Sequence, residues 1–178
     1  ATGTGDLLML IAKNINVNEI YGVDLSEKML EKANKKIKKI NSDKIFLFKA
    51  DAENLPFDDN YFDLITIAYG VRNFENINKA MSECYRVLKD NGIIAILEFG
   101  KVNNKFLKLF FNFYFTKILP YLGAFFSKNK NAYIYLPESV MTFPNGNDFI
   151  SILQKNGFKN CYFKNFSAGI SLLYVGFK

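Results

Sequence analysis

The stretch Ala1–Ala12, ATGTGDLLMLIA, places a glycine turn directly in front of an apolar segment. Residues without side chains let a ligand approach the backbone, and a helix that follows such a turn presents unpaired N–H groups. In α/β proteins this kind of turn follows a buried strand, whereas here almost nothing precedes Gly3 and Gly5. The turn therefore predicts a ligand site at the start of a helix over residues 6–14.

Segments with the periodicity of strands and of helices alternate along the chain, which is typical of a parallel sheet covered by helices. We therefore predict one α/β domain over residues 1–178. The apolar segment 62–70 predicts a strand buried on both faces. Strands are also predicted at 19–24, 44–51 and 93–99, helices at 27–40 and 77–88, a turn at 89–92, and an edge hairpin at 162–166 and 171–177. The side chain of Ser26 is expected to cap the helix 27–40, whose apolar face is Met29, Leu30, Ala33, Ile37 and Ile40.

The composition limits the chemistry available to the protein. The chain contains no histidine, which excludes His-ligated metals, histidine bases and Ser-His triads. Cys84 and Cys161 are too few for a disulfide framework or a cysteine metal site, so no metal is expected. No segment resembles a signal peptide, so we expect a cytoplasmic, reducing location.

The chain carries a formal charge of +6, from 23 basic and 17 acidic residues. Much of the excess lies within residues 28–49 and 101–130. Such an excess favours an anionic neighbour, which is a membrane surface, a cofactor or a nucleic acid. A solvated lysine-rich face is the favoured interpretation of this excess, so the charge by itself does not select a partner.

Two acidic residues follow successive strands of the predicted sheet. Asp24 lies 19 positions after Gly5, the spacing at which a carboxylate accepts hydrogen bonds from a ribose diol. Asp51 ends the next strand and can reach an adenine amino group. Alternatively, Asp24 starts the following helix and Asp51 satisfies local backbone N–H groups. Their occurrence at successive strand ends favours a nucleoside site.

The glycine turn argues against a dinucleotide. The dinucleotide fingerprint requires a third glycine three residues after the second, where this chain has Leu8. Asp6, beside the turn, would also repel a pyrophosphate. S-adenosylmethionine has no phosphate, and its sulfonium and amino groups tolerate a nearby negative charge. The spacing therefore favours a methyltransferase.

Arg72 lies in the segment YGVRNF (69–74), just beyond a predicted buried strand. One interpretation is an ordinary salt-bridge partner in a loop. The other is a charge directed from the strand end into the crevice where ligands of open α/β sheets bind. The second interpretation makes Arg72 a candidate for catalysis.

An aromatic-rich segment occupies residues 106–126. Its length of about 20 residues is that of a membrane span, but Lys108, Asn112, Lys117 and Pro120 argue against insertion. Three interpretations remain: a helix packed on the sheet, a lid over an apolar substrate, or a contact with a membrane surface.

Seven segments of the chain together resemble the ubiquinone/menaquinone biosynthesis C-methyltransferase family. They are TGTGD (2–6), GVDLSEKML (22–30), ADAENLPFDDNYFD (50–63), TIAYGVRNF (66–74), YRVLKDNGIIAILEFG (85–100), YIYLPESV (133–140) and NFSAGI (165–170). The first three fit many S-adenosylmethionine-dependent methyltransferases. The patterns YGVRN, RVLK..G....LEF and Y.YL.ES are specific to this family, and the resemblance covers essentially the whole chain.

The resemblance implies a Rossmann-like S-adenosylmethionine-dependent methyltransferase fold, with a mostly parallel seven-stranded sheet and an antiparallel C-terminal strand. Relatives carry a further N-terminal segment that includes the first strand. We therefore expect an N-terminally truncated domain, without that strand, that binds its cofactor poorly by itself. Residues 101–145 are expected to form an aromatic-rich insertion on the substrate side.

The resemblance also implies which residues bind S-adenosylmethionine. They are Gly3, Thr4, Gly5, Asp24, Asp51, Ala52 and Ala68. The glycine turn contacts the methionine portion, Asp24 holds the ribose hydroxyls, and Asp51 and Ala52 border the adenine. Ala68 offers only its backbone where relatives often have a serine. Gly100 also stands where relatives usually have serine, which puts substrate-side hydrogen bonding in question.

The implied reaction is the C-methylation of a polyprenylated hydroquinone: demethylmenaquinol, 2-methoxy-6-polyprenyl-1,4-benzoquinol, or both. Arg72 is the implied catalytic residue. It stabilises the phenolate or orders the water that accepts the proton, because a guanidinium is itself a poor base. The expected partners are the quinol, the inner face of the membrane as a peripheral surface, and a second copy or a quinone-biosynthesis complex.

Other functions remain open at this point. The chain can be another small-molecule S-adenosylmethionine-dependent methyltransferase, or an inactive, truncated nucleoside-binding protein. An RNA-directed methyltransferase would suit the positive charge. However, the chain shows no basic-aromatic RNA-binding motif, so nucleic acid is not expected as a partner.

Overall fold

The fold combines parallel and antiparallel strands with helices packed on them. The structure, a computed structural model, describes residues 1–40, 43–101 and 139–178. Its elements in chain order are α1 (Asp6–Asn14), β1 (Ile20–Asp24), α2 (Glu27–Ile37), β2 (Ile45–Lys49), β3 (Phe62–Ala68), α3 (Ile77–Val87), β4 (Leu88–Phe99), α4 (Asn147–Lys155), β5 (Lys159–Phe166) and β6 (Ser171–Phe177).

The described strands form two sheets. One contains the parallel pair β1-β2, and the other has the order β3-β4-β6-β5. Strands β3 and β4 are parallel, whereas β6 runs antiparallel to both β4 and β5. The predicted antiparallel C-terminal strand and edge hairpin are therefore confirmed.

Side chains connect the two sheets where β1 approaches β3. The Tyr21 and Tyr61 hydroxyls lie 2.9 Å apart, and the Tyr21 ring lies 5.4 Å from that of Phe62. The prediction that β3 is buried on both faces is wrong, since Leu64 is 46% exposed and only Ile67 is fully within the core. Thus β3 is covered towards its carboxyl end, which is the end that faces the site.

Helix α2 is shorter and less buried than its sequence predicts. The helix ends at Ile37, and its buried residues are Ala33 and Ile37, whereas Met29 and Ile40 are exposed. Ser26 occupies the N-cap position, but its side chain makes no capping bond. Its backbone N–H donates to Asp24 at 2.9 Å, so the aspartate orders the residue that directly precedes the helix.

Strand β4 begins earlier than predicted because the expected turn is a bulge within it. The pairing with β3 shifts from Phe62–Leu88 to Leu64–Ile93, so residues 89–92 form an irregularity instead of a separate turn. Asn91 adopts a left-handed φ of 64° there. Strand β2 ends at Lys49, two residues before its predicted end at Asp51.

The main core lies between the four-stranded sheet and helices α3 and α4. Its centre is aromatic: the ring of Tyr174 on β6 lies 4.7 Å from that of Phe149 on α4. Other buried members are Met81, Cys84, Leu88, Ile94, Ile96, Leu153, Phe158 and Leu172. Burial of this area provides the main driving force for folding and fixes the carboxyl ends of β3 and β4.

Most of the predicted insertion at 101–145, including the aromatic segment 106–126, lies outside the described residues. Near its end, Phe143 is buried in the main core. Among the helices of the described ranges, none has the length and apolar character needed to cross a membrane.

Candidate functional site

The glycine turn lies between the end of β1 and the end of β3. The amino group of Ala1 and the N–H of Thr2 each donate to the Val23 carbonyl at 2.8 Å. On the other side, a Cβ added to Gly70 would lie 2.4 Å from the Ala1 Cβ. The structure therefore brings the turn together with the strand ends that carry Asp24 and Ala68.

Both glycines of the turn have backbone conformations that favour glycine. The φ angles are 57° at Gly3 and 77° at Gly5, in the left-handed region where a side chain is strained. Around Gly3, a Cβ would meet no atom within 4 Å, whereas at Gly5 it would lie 3.1 Å from the Ala33 Cβ. Gly3 thus leaves room beside the backbone for a ligand, and Gly5 lets α1 approach α2.

Asp24 holds the turn with its carboxylate. Its Oδ2 accepts the Gly3 N–H at 2.7 Å, and its Oδ1 accepts the Ser26 N–H at 2.9 Å. Each carboxylate oxygen has a further lone pair that can accept a hydroxyl proton. Asp24 therefore starts α2, as the structural alternative supposed, and keeps the capacity to bind a ribose diol.

Thr4 is held by a polar network that the sequence did not reveal. Its Oγ1 donates to Asp6 Oδ2 at 2.6 Å and accepts from Lys36 Nζ at 2.9 Å. Lys36, on α2, also pairs with Asp6 Oδ1 at 2.7 Å. The hydrogen bond from Lys36 is the main reason that the pKa of Asp6 is lowered. The network ties the glycine turn to α2 through three side chains.

Asp51 and Ala52 lie in the segment between β2 and β3. Asp51 accepts the Glu53 N–H at 2.9 Å, which is the local bond expected of its structural alternative. Ala52 packs against the main core. The structure places this segment beside α3, which fixes its conformation.

Arg86 and Glu83 of α3 anchor that segment. The Arg86 guanidinium donates to the Leu55 and Phe57 carbonyls at 3.0 and 2.7 Å, and Glu83 accepts the Leu55 N–H at 2.8 Å. Arg86 also pairs with Glu83 and with Asp59, each at 2.8 Å. These bonds lower the pKa of Glu83, chiefly through Arg86, and raise that of Arg86.

Arg72 follows β3 in a short 3₁₀ turn and forms an ion pair with Glu98, near the carboxyl end of β4. The Nη1–Oε1 distance is 2.7 Å, and the Glu98 side chain is completely buried. Nη1 also donates to the Tyr69 carbonyl, and the guanidinium carbon lies 5.2 Å from the centre of the Phe99 ring. Arg72 is therefore a salt-bridge partner, as the first interpretation predicts. It also lies at the strand ends, and the direction of its charge into the crevice stays a prediction.

One donor of Arg72 has no protein partner among the described residues. Nε is buried and makes no hydrogen bond there. Buried polar groups are nearly always satisfied, so this donor is available to a water molecule or a ligand group that reaches it. Ala68 is the last residue of β3 and lies four residues before Arg72. It therefore lies at the strand end that adjoins both Arg72 and the glycine turn.

Sequence reasoning missed Glu98, Lys36 and the Glu83–Arg86 pair. Glu98 carried a usable signal, because a single charge near the end of the apolar segment 93–99 requires a buried partner. Lys36 carried none, since it lies in a lysine-rich helix and only the fold brings it to the turn.

Comparison with known proteins shows the family to which this chain belongs. The pattern of the ubiE/COQ5 methyltransferase family matches residues 1–178. The chain belongs to the ubiE/COQ5 methyltransferase family. It is 42% identical over its whole length to the ubiquinone/menaquinone biosynthesis C-methyltransferase UbiE of Rickettsia prowazekii, and it covers 74% of that protein.

Two further relatives extend the comparison. The demethylmenaquinone methyltransferase of Bacteroides fragilis is 38% identical over the whole chain, which covers 73% of that protein. The crystal structure of a SAM-dependent methyltransferase from Aquifex aeolicus has a TM-score of 0.72 at 19% identity, covering 99% of this chain and 78% of the other. This likeness confirms the Rossmann-like methyltransferase fold.

The cofactor of this ubiE/COQ5 family member is S-adenosylmethionine, and the described residues fit it. The open space at Gly3 admits a ligand against the backbone, and Asp24 retains acceptor capacity for a diol. Asp6 is paired with Lys36, so its charge by itself does not distinguish a cationic cofactor from a pyrophosphate. The thiol of Cys84 takes no part, because burial raises its pKa to about 12 and keeps it protonated.

Proposed function

We propose that this protein transfers a methyl group from S-adenosylmethionine to a ring carbon of a polyprenylated hydroquinone. The proposed substrates are demethylmenaquinol, 2-methoxy-6-polyprenyl-1,4-benzoquinol, or both. The names of the two curated relatives support this substrate class. The observation that carries the proposal is the Arg72–Glu98 pair, which holds a cation at the carboxyl ends of β3 and β4.

When bound, the cofactor supplies an electrophilic methyl group attached to a sulfonium. We assign its binding to Gly3, Thr4, Gly5, Asp24, Asp51, Ala52 and Ala68. The glycine turn and Asp24 orient its methionine and ribose portions from one side of the crevice. The segment anchored by Arg86 positions Asp51 and Ala52 for the adenine from the other side.

Arg72 activates the substrate through its charge. A ring carbon becomes strongly nucleophilic only when the neighbouring phenol loses its proton, and an unperturbed phenol has a pKa near 10, as tyrosine does. A cation beside the oxygen favours phenolate and lowers that pKa. The unsatisfied Nε also suits a bound water that accepts the proton. The guanidinium remains protonated throughout.

Glu98 balances the charge that Arg72 brings into the site. A guanidinium buried without a counterion would be costly, and the carboxylate also fixes its position through the Nη1 contact. Positioning of the substrate ring against the methyl group, with water largely excluded, provides much of the remaining acceleration.

Labelled methyl transfer tests the proposal. The complete protein, including any residues beyond the present sequence, is incubated with S-adenosylmethionine that carries a labelled methyl group and with either short-chain demethylmenaquinol or the benzoquinol. The product is analysed by mass spectrometry and NMR. We expect the label on a ring carbon. A labelled methyl group bonded to oxygen instead of carbon would contradict the proposal. Absence of label with either quinol would also contradict it and would favour another small-molecule substrate or a binding protein without activity.

We also propose that the protein acts at the surface of the membrane that contains its substrate. The net charge of +6 and the basic stretch within residues 101–130 would favour anionic lipid. Flotation with vesicles containing acidic lipid is expected to recover more protein than flotation with neutral vesicles. Equal recovery would contradict the proposal. Self-association stays a prediction, which light scattering after size exclusion can test.

A further inference from the structure

A pair of hydroxyl groups lies beside the Arg72–Glu98 pair. Tyr69 directly follows β3, and Ser171 is the first residue of β6, opposite Phe99 of β4. The Tyr69 hydroxyl and Ser171 Oγ are 3.0 Å apart. Tyr69 is partly exposed and Ser171 is nearly buried. Neither residue was singled out by sequence reasoning, and the reaction described above does not use them.

The tyrosine is held rigidly at this position. Its φ angle of 55° lies in the left-handed region, which bulky residues rarely adopt and which clusters at functional sites. Its N–H donates to the Leu97 carbonyl at 2.7 Å, and its own carbonyl accepts the Arg72 guanidinium. Its ring lies 4.5 Å from that of Phe99. The same residue therefore orients both the cation and the hydroxyl pair.

The pair keeps one unused proton. A hydroxyl group has one O–H donor, so when one member donates to the other, the accepting member retains its own proton for a third group. In residues 1–40, 43–101 and 139–178, neither hydroxyl makes a second hydrogen bond. The pair can thus donate to an oxygen of a bound ligand.

We infer that Tyr69 and Ser171 determine specificity by binding the second oxygen of the substrate ring, while Arg72 faces the first. This inference rests on the proposed function, because a hydroquinone carries two oxygens on opposite sides of one ring. A site built to hydrogen-bond a hydroxyl discriminates strongly against an analogue that lacks it. The hydroxyl pair therefore selects hydroquinones over monophenols with the same tail.

The test compares two substrates and matched variants. The kcat/KM is measured for a short-tailed hydroquinone and for the corresponding monophenol, which lacks the oxygen remote from the methylated carbon. Because the two rings differ in intrinsic reactivity, the ratio of the two values is compared between proteins. Tyr69→Phe and Ser171→Ala are expected to lower that ratio by about tenfold. The loss should come from a higher KM for the hydroquinone, with the monophenol almost unaffected.

Tyr162→Phe provides the control, since Tyr162 is an exposed tyrosine on β5. It should leave the ratio unchanged, and all variants should keep the wild-type Tm and affinity for S-adenosylmethionine. A ratio unchanged in Tyr69→Phe and Ser171→Ala, with normal hydroquinone methylation, overturns the inference and leaves the proposed function intact. Weaker cofactor binding in both variants would place the pair on the cofactor side and also overturn it. Failure of the unsubstituted protein to methylate the hydroquinone would overturn both.

Discussion

Arg72 and Glu98 form the most buried ion pair in the described part of the chain, with 11% and 0% of their side chains exposed. Glu98 Oε1 accepts the Phe99 N–H at 2.9 Å in addition to the guanidinium. Loss of one partner from a buried pair leaves an uncompensated charge, which costs about 3–5 kcal/mol. Replacement of both partners by apolar residues is often nearly neutral. The pair therefore offers a way to separate stability from catalysis.

Arg72→Ala is expected to lower both stability and activity. The buried Glu98 carboxylate loses its counterion, so the free energy of unfolding falls by about 3–5 kcal/mol. Loss of phenolate stabilisation should lower kcat by about 100-fold or more, with a smaller effect on cofactor affinity. Urea unfolding and labelled methyl transfer measure the two effects. Activity equal to that of the unsubstituted protein would exclude the assigned role of Arg72.

The double variant Arg72→Met/Glu98→Leu is the control for stability. It should be more stable than Arg72→Ala, because no unpaired charge is left buried, and it should still lack activity. If activity returned together with stability, the arginine would be structural only.

Lys36→Met is expected to weaken cofactor binding with little effect on kcat. The side chain joins Thr4 and Asp6 to α2, but Asp6 is 77% exposed, so solvent screening limits the effect. We expect the Kd for S-adenosylmethionine to rise about two- to fivefold at low salt, and less at high salt. Calorimetric titration measures it. Lys36→Arg should restore part of the affinity, and Lys35→Met, an exposed neighbour on the same helix, should leave the Kd unchanged.

Arg86→Ala is expected to loosen the segment that carries Asp51 and Ala52. The substitution removes hydrogen bonds to the Leu55 and Phe57 carbonyls and the ion pairs with Glu83 and Asp59. We expect a loss of about 1–3 kcal/mol in the free energy of unfolding, together with a higher KM for the cofactor. Arg86→Lys keeps the charge without the planar fork and should recover only part of both. An unchanged KM would show that the segment does not position the adenine site.

Stability should decrease in acid because of carboxylates such as Glu83. Hydrogen bonding to Arg86 lowers the pKa of Glu83 from its ordinary value of 4.5, so the folded state binds the proton more weakly than the unfolded state. The stability that this group contributes is fully present above pH 4.5 and is lost as pH falls through the folded-state pKa. In Glu83→Gln the unfolding free energy should fall less steeply below that pH. An identical slope in both proteins would contradict this account.

Gly100→Ser, which introduces the residue usual in relatives, is expected to destabilise this protein. A Cβ at position 100 would lie 2.2 Å from the Gly169 carbonyl oxygen, so the turn before β6 would have to move. Overpacking of this kind costs about 1–3 kcal/mol. In the comparison variant Gly3→Ala, the added Cβ meets no atom within 4 Å. That variant therefore measures the cost of backbone strain without a steric clash. A Tm for Gly100→Ser at or above that of the unsubstituted protein would show that the turn adapts.

The sequence was sufficient to predict those parts of the site that depend on local order. The helix after the glycine turn, the strand that ends at Asp24, and the position of Arg72 after β3 all occur as expected, because each depends on neighbouring residues. The partner of Arg72 was not predicted, since Glu98 lies 26 residues away and only the pairing of β3 with β4 joins them. Lys36 reaches Thr4 for the same reason, through the packing of α2 on α1.

Boundaries were predicted less well where two local preferences compete. The apolar spacing of residues 27–40 continues past Ile37, but the chain leaves the α-helix there, so Ile40 is exposed. The polar residues 89–92 have the composition of a turn, but the pairing of β4 with β3 keeps them within the strand as a bulge. In the second case tertiary packing overrides the local pattern.

The most direct measurement is the location of the transferred methyl group. The complete protein, including any residues beyond the present sequence, is given labelled S-adenosylmethionine and a short-chain demethylmenaquinol, and the product is analysed by NMR. The account predicts one labelled methyl per ring, bonded to carbon, with the signal lost in Arg72→Met/Glu98→Leu although that variant remains folded. A labelled O-methyl ether, or equal transfer by the double variant, would contradict it.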